Sequence, residues 1–194
     1  MVKNVSNAFR QLGCTNITKA DREENDFYAT EPKAVIELLK KEKFHNEILE
    51  PCCGKGHISS ILEEYSYKVK STDIIDRGYD NFNGICNVFD ITKTKCDIIT
   101  NPPYKNALKF TKHLLSIMED GRKLALFLKI QFLEGKARKD FFKTNPPKNI
   151  YVASGRLNCA KNGEFDKYPS SAICYAWFVW EKGYKGYPTI DWIN

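Results

Sequence analysis

The chain has 194 residues, of which 42% are hydrophobic and 13% aromatic, enough to bury an α/β core without disulfide staples. Seven cysteines with no C-x-x-C pair exclude a complete disulfide framework and a zinc-ribbon site, and no apolar run reaches membrane-span length. A net charge of +6 suits a polyanionic partner without requiring one, and the polar start Met1 to Gly13 lacks a signal-type apolar stretch, so a cytoplasmic chain is expected.

In chain order, residues 1–25 form a polar segment of mixed charge, read as either partly disordered or one short helix. Residues 26–194 read as one domain. Pro32 suits the first turn of a helix carrying Val35, Ile36, Leu38 and Leu39 at near-helical spacing. Ile48-Leu49 reads as a buried strand ending at Glu50-Pro51, and a helix begins at Ile58 and runs through Leu62. Tyr67 to Thr72 is a strand closed by Asp73, and a weaker strand is expected over Ile85 to Val88. Asp97 to Thr100 is a short strand running into Asn101-Pro102-Pro103-Tyr104. Ala107 to Met118 has helical spacing, Leu124 to Ile130 has strand length, and Lys136 to Phe142 reads as a helix stopped at Asn145-Pro146-Pro147. Strands are expected over Ile150 to Ala153 and Ala172 to Trp180. Strands alternating with helices predict a parallel sheet covered on both faces, with ligands bound beyond the carboxyl ends of the strands. The unusual residues fall at those ends: Glu50 to His57, Asp73, Asp90 and Asn101 to Tyr104.

Gly54 and Gly56, at the first strand–helix turn, let a ligand approach the backbone. A dinucleotide fingerprint would need a third glycine where Ser59 stands, and no G-K-[ST] follows for a phosphate loop. Asp73 can accept hydrogen bonds from ribose hydroxyls, or it can cap a turn; Asp76 is the fallback for the ribose role. Asn101-Pro102-Pro103-Tyr104 is the most specific feature. A planar aromatic amine is a poor nucleophile because its lone pair is delocalised. Two fixed acceptors on its N–H bonds, the Asn101 side-chain oxygen and the Pro102 carbonyl, would free that pair, with the prolines aiming both at one point. Tyr104 offers a flat face for a planar base.

With these residues the chain resembles the adenine-specific, amino-group DNA methyltransferases, in the branch found in phages and mobile elements. The resemblance rests on Ile48-Leu49-Glu50-Pro51 through Gly56, on Asn101 to Tyr104, on Asp26-Phe27-Tyr28-Ala29-Thr30-Glu31-Pro32, and on Tyr175-Ala176-Trp177-Phe178-Val179-Trp180. It implies a Rossmann-like α/β fold, with a seven-stranded, mostly parallel sheet, helices on both faces and one antiparallel edge strand. It implies S-adenosyl-L-methionine as cofactor and an adenine in DNA as target, with RNA adenine and a protein glutamine amide as alternatives. A non-enzymatic nucleoside-binding module is the remaining rival. Tyr28 and Thr30 are implied at the methionine end of the cofactor, Glu50, Pro51, Gly54 and Gly56 around its amino group and chain, Asp73 at the ribose and Asp90 at the adenine ring. Asp90 has a turn-capping role open to it as well. Phe132 reads either as the far wall of the base pocket or as core. Neither metal nor membrane is implied, and the cysteines and three scattered histidines are not needed for the chemistry.

No separate target-recognition domain is expected. Grip on nucleic acid would fall to cleft cations such as Lys105, Lys109, Lys129, Arg138 and Arg156, each of which also reads as solvated surface. The long connection Ser154 to Pro169, with Arg156, Asn158 and Asn162, is the candidate reading loop.

Overall fold

The structure is a computed structural model, and it describes residues 27–161, 163, 165–167 and 173–194. The polar N-terminal segment, Asp26, Asn162, Tyr168, Pro169 and Ala172 lie outside these.

Burial on both faces decides the architecture. Strand β6 (Lys123–Lys129) sends Leu124, Leu126 and Leu128 into one core and Ala125 and Phe127 into the other. Strand β9 (Tyr175–Glu181) does the same with Ala176, Phe178 and Trp180 against Trp177 and Val179. Such strands cannot tolerate solvent on either side, so helices must cover both. Helices α1 (Pro32–Lys41) and α2 (His57–Glu64) contribute Val35, Leu38, Ile58 and Leu62 to one core. Helices α3 (Ala107–Ile117) and α4 (Lys136–Thr144) contribute Phe110, Leu114 and Phe141 to the other. Trp177 is fully buried, and its indole N–H donates to the Ala34 carbonyl at 2.8 Å, which locks α1 onto the sheet.

The main sheet has eight strands in the order β10-β7-β9-β6-β5-β2-β3-β4. These are β2 (Glu47–Glu50), β3 (Lys68–Asp73), β4 (Phe82–Ile85), β5 (Asp97–Thr100), β6, β7 (Asn149–Ala153), β9 and β10 (Thr189–Ile193). All neighbours are parallel except β9, which runs antiparallel to both β6 and β7. A second, two-stranded antiparallel sheet pairs β1 (Tyr28–Thr30) with β8 (Cys159–Lys161).

Rossmann-like α/β organisation is thus as the sequence predicts, with three differences of detail. The sheet has eight strands rather than seven, because Thr189–Ile193 adds alongside β7. The reversed strand is inserted between β6 and β7, and β10 and β4 form the edges. The strand expected over Ile85 to Val88 lies earlier, at Phe82–Ile85. There Gly84, at φ 135°, follows a register shift at Ser71/Thr72, and Val88–Asp90 is a 3-10 turn capped by Asn87.

Polar residues clamp the amino ends of the strands. The fully buried Asp97 accepts from the backbone N–H of His45 at 2.6 Å and of Lys123 at 2.9 Å. Glu42 accepts from Lys123 Nζ at 2.5 Å, Asn149 Nδ2 at 2.6 Å and the Tyr151 hydroxyl at 2.7 Å. The carboxyl ends are left for the peculiar residues. Among the described residues no helix is long and apolar enough to cross a membrane.

Candidate active site

All four residues of β5 are buried, and the chain leaves the sheet at Asn101. Pro103, at φ −55° and ψ 119°, turns it into a 3-10 segment, Tyr104–Asn106, that leads into α3. Asn101 is half-buried. Its Nδ2 donates to the backbone carbonyl of Tyr28 at 3.1 Å and to Thr30 Oγ1 at 3.0 Å, and lies 3.6 Å from Cys159 Sγ. A carbonyl oxygen only accepts, so the contact with Tyr28 fixes which end of the amide faces β1. Oδ1 accepts no hydrogen bond from the described residues and is presented away from β1.

Tyr104 donates its hydroxyl to Cys159 Sγ at 3.1 Å. Its ring lies 6.2 Å from that of Tyr28 and 6.0 Å from that of Tyr175, with Lys129 Nζ 5.1 Å from its centre. Burial pushes the Tyr104 phenol well above its ordinary range, so it remains a donor at neutral pH.

The second cluster is built on the turn after β2. Gly54 and Gly56 have φ of 56° and 78°, in the left-handed region that favours glycine. Close contact adds to the demand: a Cβ on Gly54 would collide with the Phe27 ring, and one on Gly56 with the Tyr79 ring. Asp73, 8% exposed, closes this turn, with Oδ2 accepting the Gly54 N–H at 2.9 Å and Oδ1 accepting the Ile75 N–H at 3.3 Å. Next to it, Ile74 is 51% exposed, an apolar face beside a carboxylate.

Glu50 sits lower than the sequence suggests. It is 1% exposed, bonded to Ser59 Oγ, which in turn meets Ser71 Oγ at 2.6 Å. Burial raises its carboxyl well above the ordinary range. It supports the turn from beneath, with Pro51 also buried, and presents almost no surface to a ligand.

The structure therefore brings Tyr28, Thr30, Asn101 and Tyr104 together in one cluster, and Gly54, Gly56 and Asp73 in another. Both stand at the carboxyl edge. Asp90 is exposed at the end of the 3-10 turn after β4, its own N–H bonded to the Asn87 carbonyl. Phe132 belongs to neither cluster. It is 5% exposed and packs edge-on against Phe142 and Phe178, at 5.7 and 5.5 Å, in the core beneath α4, so of its two readings the structure takes the core one. Arg156 is exposed on the bend after β7. The connection named as the candidate reading loop contains β8 and the 3-10 segment Phe165–Lys167. Glu31 and Asn158 fasten it to β1 through Glu31 N–H to Asn158 O at 3.1 Å and Asn158 N–H to Glu31 Oε2 at 2.9 Å.

Sequence reasoning missed Cys159 and Tyr79, and gave Phe27 and Tyr175, both in segments that carry the resemblance, no role of their own. Tyr175 had a usable signal: the first residue of an antiparallel strand lies at the carboxyl edge of its parallel neighbours. Cys159 had none. Among the described residues no group of three or more His, Cys, Asp or Glu could hold a metal ion.

No protein-family model and no curated protein matches the chain. Solved structures do. A protein assigned as an O-methyltransferase from Agrobacterium tumefaciens is 13% identical, with a TM-score of 0.60 over 84% of this chain and 85% of that one. A modification subunit assigned to a type I restriction enzyme of Vibrio vulnificus is 14% identical, with a TM-score of 0.58 over 87% of this chain and 46% of that one. The M protein of the type I restriction enzyme EcoKI is 14% identical, with a TM-score of 0.56 over 79% and 43%. The chain spans under half the length of these two subunits. At such identities the likeness defines the fold alone, a Rossmann-like α/β sheet.

Proposed function

We propose that this chain transfers a methyl group from S-adenosyl-L-methionine to the 6-amino nitrogen of adenine in DNA. The observation that carries the reading is the orientation of Asn101. With Nδ2 committed to Tyr28 and Thr30, Oδ1 is left as an acceptor beyond the carboxyl end of β5. A purely nucleoside-binding module has no use for such an acceptor beside Pro102.

The adenine amine meets two acceptors, Asn101 Oδ1 and the Pro102 carbonyl, one on each N–H. They would draw the nitrogen toward tetrahedral geometry and localise its lone pair for attack on the methyl that a bound cofactor would supply, the carbon–sulfur bond breaking to a neutral thioether as the C–N bond forms, with one N–H proton lost to solvent. Because the Asn101 amide is held by β1 before the reaction, less reorganisation opposes it. Tyr104, with Tyr28 and Tyr175 beside it, offers aromatic surface for the base. An adenine within a duplex cannot enter such a site, so the base is flipped out.

The residues present fit the cofactor. Each Asp73 oxygen accepts one backbone N–H and keeps a lone pair for a ribose hydroxyl. Ile74 offers apolar surface to a nucleoside base, and Gly54 and Gly56 allow close backbone approach. When bound, the cofactor supplies an electrophilic methyl on a sulfonium. Asp90 is the proposed adenine-ring contact and Arg156 a phosphate or base contact. The net charge of +6 and the likeness to two restriction modification subunits favour DNA among the possible substrates.

The test is transfer of labelled methyl from the cofactor to adenine-containing duplex DNA, to RNA of the same sequence, and to a glutamine-containing peptide, followed by nucleoside analysis. Label in N6-methyladenine from DNA is expected. Label confined to RNA or to the peptide would replace the substrate, and none in any arm would remove the enzymatic reading.

A further inference from the structure

Cys159 lies outside every motif in the sequence, yet the fold sets its sulfur against both ends of the Asn101 to Tyr104 segment. The β1–β8 register places Cys159 opposite Thr30. That pairing delivers Sγ to 3.1 Å from the Tyr104 hydroxyl and 3.6 Å from Asn101 Nδ2. We propose that Cys159 is a positioning residue for methyl transfer. Its sulfur ties the Tyr104 hydroxyl and the Asn101 amide to the β1–β8 pair, and so holds Asn101 Oδ1 toward the substrate amine. The role in catalysis rests on the function proposed above, whereas the tether itself does not.

Three observations carry this. The Tyr104 hydroxyl is inside an aromatic cluster, where a polar group needs a partner, and its proton goes to the Cys159 sulfur. The Asn101 amide has two N–H hydrogens and three acceptors around them, and only the sulfur among the three also holds Tyr104. Finally, the strand that brings the sulfur is itself pinned to β1 by the Glu31–Asn158 pair of hydrogen bonds. The tether therefore has a fixed foundation. Burial pushes the Cys159 thiol up to about 11, so at neutral pH it is an uncharged S–H that accepts from the phenol.

Cys159→Ala and Cys159→Ser, made in the full chain, test it. Serine keeps an acceptor at the position and alanine removes it. Cys159→Ala is expected to lower kcat about tenfold, the effect of one lost neutral hydrogen bond. KM for duplex DNA and the cofactor Kd should stay unchanged, and Cys159→Ser should recover most of the rate. Independently of activity, the Asn101 carboxamide hydrogens, followed by NMR, should exchange faster in Cys159→Ala than in the wild type or in Cys159→Ser. Tyr104→Phe removes the same contact from the other side, and should also speed that exchange even if Cys159→Ala fails to fold. Unchanged kcat in Cys159→Ala, a serine variant as slow as alanine, or cofactor affinity falling in step with kcat would overturn the role. Should the wild type methylate no DNA, the proposed function fails, and the exchange rates still decide the tether.

Discussion

The side-chain amide of Asn101 donates to the backbone carbonyl of Tyr28 across 3.1 Å, joining the end of β5 to a strand in the separate two-stranded sheet. A neighbour that can only accept makes the amide orientation unambiguous, and leaves its oxygen for a substrate N–H. Asn101→Ala removes that acceptor. We expect kcat to fall on the order of a hundredfold or more, as for other preorganised hydrogen-bonding groups, with cofactor affinity retained. Single-turnover methyl transfer at saturating cofactor measures it. Near-normal turnover would disprove the paired-acceptor mechanism.

Asp73 has two tasks that one substitution separates. Its carboxylate closes the glycine turn through the Gly54 N–H and is proposed to hold the ribose. In Asp73→Asn the amide oxygen can still accept from Gly54, but the charge and one acceptor are gone. Cofactor affinity should drop about tenfold to a hundredfold, in line with 1.5–3 kcal/mol for a hydrogen bond to a charged group, while thermal stability changes little. Calorimetry showing unchanged affinity would sink the ribose assignment.

Why these residues were legible, and others not, follows from how far each contact reaches. Asn101 and Asp73 stand at the ends of strands, so strand pattern alone was enough to place them at the carboxyl edge. Phe132 lies in a short turn, where no periodicity says which side a ring takes, and only packing against Phe142 and Phe178 decides for the core. Cys159 acts through a strand register between segments distant in sequence, which composition cannot reveal. The β10 strand escaped notice because it is half-clothed: Ile190 and Trp192 are 51% and 60% exposed, so apolar residues there do not mark a core.

Gly54→Ala should destabilise the fold by two separable effects. The left-handed φ of 56° costs an L-residue about 1–2 kcal/mol, and the added methyl collides with the Phe27 ring. Adding Phe27→Ala should relieve the collision but not the backbone strain, so the double variant should regain part of the loss seen in Gly54→Ala relative to the Phe27→Ala background. Chemical denaturation of the four proteins supplies the cycle. Strict additivity would show that ring and turn do not touch.

Two buried glutamates should give the stability of the protein opposite pH limbs. For Glu42, burial alone would raise the carboxyl, but hydrogen bonds from Lys123, Tyr151 and Asn149 outweigh it and the net shift is downward. A depressed folded pKa contributes stability that is present above the unfolded value and lost as pH falls through the folded one. Glu50 is shifted upward, chiefly by burial and against the hydrogen bond from Ser59. Its contribution is fully present below the unfolded value and lost as pH rises through the folded pKa. Glu42→Gln should therefore lower stability at neutral pH and flatten the acid limb, whereas Glu50→Gln should remove the loss of stability on the rising-pH side, since an amide carries none of the charge that burial penalises. Removing only the cation, in Lys123→Met, leaves Glu42 buried without its partner and should cost about 3 kcal/mol. Denaturation midpoints between acid and neutral pH read all three. A Glu50→Gln variant that loses stability on the rising-pH side as wild type does, or that loses cofactor affinity as severely as Asp73→Asn, would mean that Glu50 is ionised and faces the ligand after all.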